Sequence, residues 1–346
     1  MSDVRRANAE RLRQERARGE TVLSARPVEL QIEPTNRCHR ACPTCARHFY
    51  DRAANTPGDL TPALLELIAP LFDTAQQVLL GGYGEPLLAA ITEDILGQAN
   101  AAGCRTAMIT GAGDLDDEKA AMLAGVALDE IVVSVDSADD AGMRRWRGIT
   151  LTTLLANLEK LRSRRPETRA AFNVTVHVSN LDELPDIVRV AAKHGVERVA
   201  VFHQKIYSVT QRGSSVLSIP EHAARRFAEA DEVAAEAGVE IDLPPTAGTR
   251  PCEQPYRMLV FRHDGLVQGC CSALFESHIP RVVLGRLGED DPLALWNSPA
   301  MVAARAATLG CGPNDFACHS CPFRVFTAEA HERFLDVENN DDASTL

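Results

Sequence analysis

Leu30-Gln-Ile-Glu-Pro-Thr-Asn-Arg-Cys38-His-Arg-Ala-Cys42-Pro-Thr-Cys45 is the stretch from which the rest of this chain is read. Three thiolates at Cys-x3-Cys-x2-Cys spacing are close enough to hold three irons of a cubane cluster, and the fourth iron is left without a protein ligand. An open iron is a place where a small molecule binds and receives an electron. Two other readings fit the spacing: a zinc loop, which wants a fourth ligand such as His39 or His48, and three unconnected thiols. Of the other seven cysteines, six lie beyond residue 250, where a second cluster site can be read.

The composition narrows the setting. At 346 residues the chain exceeds one ordinary core, so a large domain and a smaller one are expected, and 45% hydrophobic content supplies their interiors. No apolar run approaches a membrane span, and the Arg-rich start lacks the apolar stretch of a signal peptide, so a cytoplasmic protein without membrane contact is expected. Ten cysteines in that compartment read as reduced thiols and metal ligands rather than disulfides. A net charge of −12 argues against nucleic-acid binding, which needs a basic field. The basic exception, Arg5, Arg6, Arg11, Arg13, Arg16 and Arg18, reads as a solvated amphipathic helix packed outside a barrel.

Outward from the cysteine loop, strand and helix patterns alternate. Val28–Glu33 reads as the strand that delivers the loop, and Thr61 with Pro62 starts a helix reaching Phe72. Strand Val78–Leu80 runs into Gly81-Gly-Tyr-Gly-Glu85-Pro86. Then come helix Leu87–Ala102, strand Thr106–Thr110, helix Asp116–Ala124, strand Glu130–Val135 and helix Leu151–Arg164. Strand Phe172–Val178, helix Leu181–His194, strand Arg198–Phe202 and helix Pro220–Ala237 complete the series. Six such alternations imply a parallel sheet with covering helices, an α/β fold. Candidate site residues recur just after strand ends, namely Cys38, Glu85, Ser134 with Asp136, and His203, which is where a (β/α) barrel carries its chemistry. Gln204, Lys205 and Tyr207 follow His203 and are read either as barrel-mouth groups or as plain surface. A Pro/Gly-rich connector, Leu243–Pro251, marks a boundary, and beyond it two short strands flank a His263-Asp-Gly265 turn. The expected organisation is a helical extension (1–26), a barrel (27–245), a small cysteine-rich domain (246–330) and an acidic tail (331–346).

With these residues in hand, the chain resembles the radical S-adenosylmethionine (SAM) enzymes, whose open-cluster motif follows the first strand of a partial (β/α)6 barrel. Gly84-Glu85-Pro86 is similar to the family's segment for the methionine ammonium of SAM, Ser134-Val-Asp136 to its ribose contact, and Arg147 stands where members place an arginine near the SAM carboxylate. Physical chemistry agrees: a zwitterion wants one carboxylate and one cationic donor, and a ribose diol wants oxygen acceptors. Each residue also has a structural reading, Glu85 as a helix-terminal charge and Asp136 as a helix cap. Thr44 stands where the family usually has an aromatic residue. Cys252-x12-Gly265-x4-Cys270 with Cys318-x2-Cys321 resembles the shortened "twitch" form of the SPASM domain. Its four thiolates would saturate one further [4Fe–4S] cluster, or a tetrahedral zinc.

The resemblance implies two [4Fe–4S] clusters and SAM as cofactors, a flavodoxin or ferredoxin as reductant, and cleavage of SAM to a radical that takes a hydrogen atom from substrate. Short members with one auxiliary cluster include the neomycin epimerase and 2-deoxy-scyllo-inosamine dehydrogenase group. The leading expectation is therefore epimerisation of a sugar or cyclitol carbon in a carbohydrate-containing natural product, with Cys271 or Cys311 returning the hydrogen atom. Oxidation of a secondary alcohol, peptide or protein maturation, and a non-catalytic metal scaffold follow in that order. Cys104, just ahead of a strand, reads as core packing.

Overall fold

The computed structural model describes residues 2–48, 56–270, 283–311, 318, 321 and 323–332. In chain order the elements are α1 (Asp3–Ala17), β1 (Glu29–Ile32), α2 (Pro62–Ile68), β2 (Gln77–Leu80), α3 (Thr92–Ala102), β3 (Arg105–Thr110), α4 (Asp117–Gly125), β4 (Glu130–Ser134), α5 (Asp140–Arg147), α6 (Leu151–Arg164), β5 (Arg169–Val176), α7 (Leu184–Lys193), β6 (Arg198–His203) and α8 (Pro220–Ala237). After the connector come β7 (Glu240–Asp242), β8 (Gly248–Thr249), α9 (Gln254–Arg257), β9 (Met258–Phe261), β10 (Leu266–Gln268), β11 (Val283–Arg286), α10 (Pro292–Trp296), α11 (Pro299–Thr308), β12 (Val325–Phe326) and α12 (Ala328–Glu332).

The sheet runs β11-β10-β9-β1-β2-β3-β4-β5-β6-β7, and β1 to β7 pair in parallel along it. Alternation explains the layering. Leu30 and Ile32, Val78 and Leu80, Ile131 and Val133, Phe172, Val174 and Val176, and Val199 and Val201 all join one core with the covering helices. The intervening positions, such as Gln31, Ser134, Asn173 and Thr175, fall on the other face of their strands. The six expected strands and their order therefore stand as a partial barrel. The strand nearest the cysteine loop has a neighbour from far along the chain: β9 pairs in parallel with β1, Glu29 opposite Met258 and Ile32 opposite Phe261. The hairpin of β9 and β10 turns at Gly265, whose φ of +85° suits glycine. The small domain thus extends the barrel sheet.

One Arg of the basic helix departs from expectation. Arg5 is buried, donating to the carbonyls of Phe72 (2.8 Å), Ala102 (2.9 Å) and Ala75 and to Cys104 Sγ (3.7 Å). It latches α1 under the barrel, while Arg6, Arg11, Arg13 and Arg18 stay exposed. Cys104 is buried there, as its core reading required.

Where β1 meets the small domain lies a buried ion pair. Glu33 accepts from Tyr83 N (2.7 Å) on Oε1 and from His263 Nδ1 (2.8 Å) on Oε2, and His263 Nε2 faces Thr56 O (3.3 Å). A Cβ on Gly82 would stand 2.5 Å from Glu33 Oε1, so glycine is needed to let the loop approach. Burial alone would lower the His263 pKa. The hydrogen bond and charge of Glu33 outweigh it and raise the pKa, because both ring nitrogens face acceptors and only imidazolium can donate to both. Replacing His263 with Gln is expected to cost about 3 kcal/mol at low pH. A raised folded pKa gives stability that is complete below the unfolded value of about 6.5 and is lost as pH rises through the folded one. The gap between wild type and H263Q in urea unfolding should therefore shrink above about pH 6.5. A gap that stays constant across that range contradicts a charged pair.

Candidate metal centre

The loop leaving β1 is tied down before its first cysteine. Thr35 Oγ1 donates to Gly58 O (2.8 Å) and accepts from Arg37 N (3.0 Å), and Arg37 grips Asp59 with Nε (3.0 Å) and Nη2. Cys45 N then closes a turn on Cys42 O (3.0 Å). Arg47 holds the loop from outside, its Nη2 donating to the carbonyls of Cys38 (3.1 Å) and Arg40 (2.9 Å). Arg40 Nη1 reaches Gly148 O (2.8 Å), its guanidinium filling the space a side chain at Gly113 would need. Neither arginine was singled out from the sequence, although each lies within two residues of a motif cysteine.

The three thiols are half-buried. Burial pushes Cys38 and Cys45 upward, and the neighbouring Cys42 adds to the rise in both, so the sulfurs repel one another as anions. A positively charged iron centre removes that conflict, and the backbone N–H of Arg40 already points at Cys38 Sγ (3.4 Å). Of the two histidines a zinc loop could use as a fourth ligand, His39 and His48, the first is turned to Asp114 Oδ1 (3.3 Å). Among the described residues no three His, Cys, Asp or Glu side chains converge on a single-ion position. A donor set of three separated thiolates suits a cluster, in which each binds its own iron.

After β2 the Gly81–Glu85 turn lies against this loop. A Cβ on Gly84 would meet Thr35 O at 2.1 Å, and Glu85 N donates to Arg37 O (2.8 Å). The Glu85 carboxylate is buried and accepts from Thr110 Oγ1 (2.7 Å), Gly111 N (2.8 Å) and Leu87 N (3.3 Å). Burial raises its pKa against those bonds. The cap reading of Glu85 is therefore realised at the turn Pro86–Leu88. Three accepted bonds leave one of the roughly four lone-pair sites of a carboxylate for an incoming ammonium.

At the end of β4, Ser134 is half-buried and Asp136 fully buried. Asp136 Oδ1 accepts from Thr175 N (2.8 Å), continuing the β4–β5 ladder with a side chain, and Oδ2 pairs with Arg147 Nε at 2.6 Å. Arg147 Nη2 also lies 3.4 Å from Thr175 Oγ1. Burial opposes the charge on Arg147, but Asp136 and the thiols of Cys42 and Cys45 hold it firmly protonated. Arg147 thus sits between Asp136 and the cysteine loop. The sequence reading took Asp136 and Arg147 as two separate contacts, whereas here both Asp136 oxygens are engaged within the protein. His177, beyond β5 and not foreseen, packs edge-on to Trp146 (4.1 Å between centroids). Burial drives its pKa down to about 4, so it is neutral, with Nδ1 accepting from Ser179 N (3.2 Å).

The Cys318 thiol is driven up by burial and then by Cys270, Cys321 and Cys252. Cys270 and Cys318 line one small cavity with Met301. Cys311 is exposed after α11, its N–H bonded to Ala306 O (2.9 Å). Cys271 lies outside the described residues. His203 is buried, with Nε2 donating to Pro245 O (2.8 Å) and the ring beside Phe227 and Phe326. It shares the outward face of β6 with Val199 and Val201, so it packs on α8 and does not reach the barrel mouth. No helix among the described residues is long and apolar enough to cross a membrane.

Residues 32–191 match the radical SAM superfamily, and residues 252–322 match an iron–sulfur cluster-binding domain, SPASM. The PqqA peptide cyclase of Xanthomonas campestris pv. campestris is 26% identical over 198 residues, 55% of this chain and 50% of that protein. The PqqA peptide cyclase of Gluconobacter oxydans is 27% identical over 188 residues, covering 54% and 52%. The chain spans about half the length of these curated relatives. Streptococcus suis SuiB bound to S-adenosylmethionine shares the fold, with a TM-score of 0.66 and 16% identity, covering 94% of this chain and 81% of that one.

Proposed function

From a chain that carries a radical SAM domain followed by a SPASM domain, and so works with SAM and [4Fe–4S] clusters, we propose an enzyme that modifies a peptide. The observation that carries the peptide reading is the match to PqqA peptide cyclases over about half of the chain. It moves ahead of the sugar or cyclitol epimerase and the alcohol dehydrogenase expected from the sequence. Those rested on a short auxiliary domain and on surplus cysteines, of which Cys311 is exposed.

When bound, the Cys38/Cys42/Cys45 cluster and SAM supply one-electron cleavage and hydrogen-atom abstraction. The protein's own part is placement. Glu85 offers its remaining lone pair to the SAM ammonium, and Arg147 offers its free guanidinium edge to the carboxylate while Asp136 holds it in orientation. Ser134 stands at the β4 end as the ribose contact. Cys252, Cys270, Cys318 and Cys321 hold the auxiliary cluster.

The test is anaerobic turnover of reconstituted enzyme with SAM and dithionite. Two substrate sets are offered: short peptides encoded beside its gene, and aminocyclitol antibiotics. Expected is 5′-deoxyadenosine formation coupled to a peptide lighter by two hydrogens, with the cyclitols unchanged. A cyclitol product isobaric with substrate in H2O and one mass unit heavier when the reaction is run in D2O would overturn the peptide reading in favour of epimerisation.

A further inference from the structure

We infer that Arg324 sets the electron affinity of the auxiliary cluster, acting as a cation fixed beside the segments that carry Cys252, Cys318 and Cys321. The inference rests on assigning that cluster to the four C-terminal cysteines.

Arg324 touches the stretches around Cys321, Cys252 and Cys318 in turn. Its backbone N–H donates to Cys321 O (2.9 Å), and its carbonyl accepts from Arg250 N (2.9 Å), two residues before Cys252. That second bond is part of the short antiparallel pairing of β12 with β8, Val325 opposite Thr249, which brings the two segments side by side. The guanidinium then folds back over the third segment, with Nη1 donating to Cys318 O (3.2 Å) and to Ala307 O (3.2 Å) at the end of α11. Its Nε is buried and bonded to no acceptor.

A [4Fe–4S] cluster saturated by four thiolates carries net negative charge, and one-electron reduction adds another unit without moving any atom. A guanidinium fixed beside the ligands in a half-buried site stabilises the reduced form more than the oxidised one, since Coulomb attraction grows with the charge and falls little by screening there. Arg324 therefore raises the midpoint potential and biases this cluster towards accepting an electron, which a purely structural cluster does not need.

The measurement is a dithionite-and-mediator redox titration, followed by electron paramagnetic resonance, in the Cys38→Ala/Cys42→Ala/Cys45→Ala background, where only the auxiliary cluster remains. Dithionite supplies the electron. R324Q, which keeps a hydrogen-bond donor and loses the charge, is expected to retain iron and to titrate at a lower potential. R324K, which keeps the charge, is expected to titrate close to the parent. An R324Q potential equal to the parent overturns the proposal. If R324Q loses its iron, R324K decides: iron and potential retained support an electrostatic role, and iron lost from both variants reduces Arg324 to a structural clamp. Absence of iron from the background variant itself overturns the cluster assignment, an outcome distinct from an intact cluster with an unmoved potential.

Discussion

Cys38→Ala/Cys42→Ala/Cys45→Ala is expected to abolish 5′-deoxyadenosine formation and to take the iron content from about eight per chain to about four. The loss of activity should be total because only a cluster with three protein ligands leaves an iron open to SAM. The residual iron follows from the two thiol groups standing on separate segments, Cys38, Cys42 and Cys45 on the loop after β1 and Cys252, Cys270, Cys318 and Cys321 beyond β8, so the fold of the small domain should survive. The complementary Cys318→Ala/Cys321→Ala variant should also keep about four irons. Iron, labile sulfide and SAM cleavage measured together on both variants check this. A wild-type iron count near four that is indifferent to losing Cys318 and Cys321 would refute the auxiliary cluster.

Much of this was legible in the chain because it rests on local patterns. The helices α6 and α8 appear at the bounds expected and the strands close to theirs, with β5 starting at Arg169 where Phe172 was expected, since periodicity and terminal residues are short-range properties. Helix α5 was missed. Half of its eight residues are charged and hide an apolar stripe, yet the end signals are present: Asp139 accepts from Gly142 N (2.8 Å), and Gly148 closes it at φ +67°. The strand at Met258–Phe261 was recognisable by its content, but alternation says nothing about which edge a strand joins, so its parallel pairing with β1 was not foreseen. The same limit hid Glu33 and His263, which meet across 230 positions. At the site itself, residue type and order located Glu85, Asp136 and Arg147. Their mutual bonds needed coordinates, because a carboxylate looks the same in sequence whether it awaits a ligand or holds its neighbour.

That last distinction has a large measurable consequence at Asp136. Its carboxylate is wholly buried, accepts a ladder bond from Thr175 N at 2.8 Å and pairs with Arg147 at 2.6 Å. Asp136→Ala leaves a buried guanidinium unpaired and a strand N–H unsatisfied, and is expected to cost about 3–5 kcal/mol in urea or thermal unfolding. Asp136→Asn keeps an acceptor for Thr175 and should cost less, yet it frees Arg147 from its fixed orientation. Arg147→Leu combined with Asp136→Ala removes both charges, and the double variant should be more stable than Asp136→Ala alone, because no isolated charge remains. Stability and SAM affinity should then part company: the double variant recovers folding but binds SAM no better, since the cationic donor is gone. Equilibrium SAM binding to the reconstituted proteins, set beside their unfolding midpoints, reads both quantities. If Asp136→Ala unfolds within about 1 kcal/mol of wild type, the pair is not the buried anchor described here. If the double variant binds SAM as tightly as wild type, Arg147 only fills space between β4 and the cysteine loop, and the carboxylate of SAM must be held by another group.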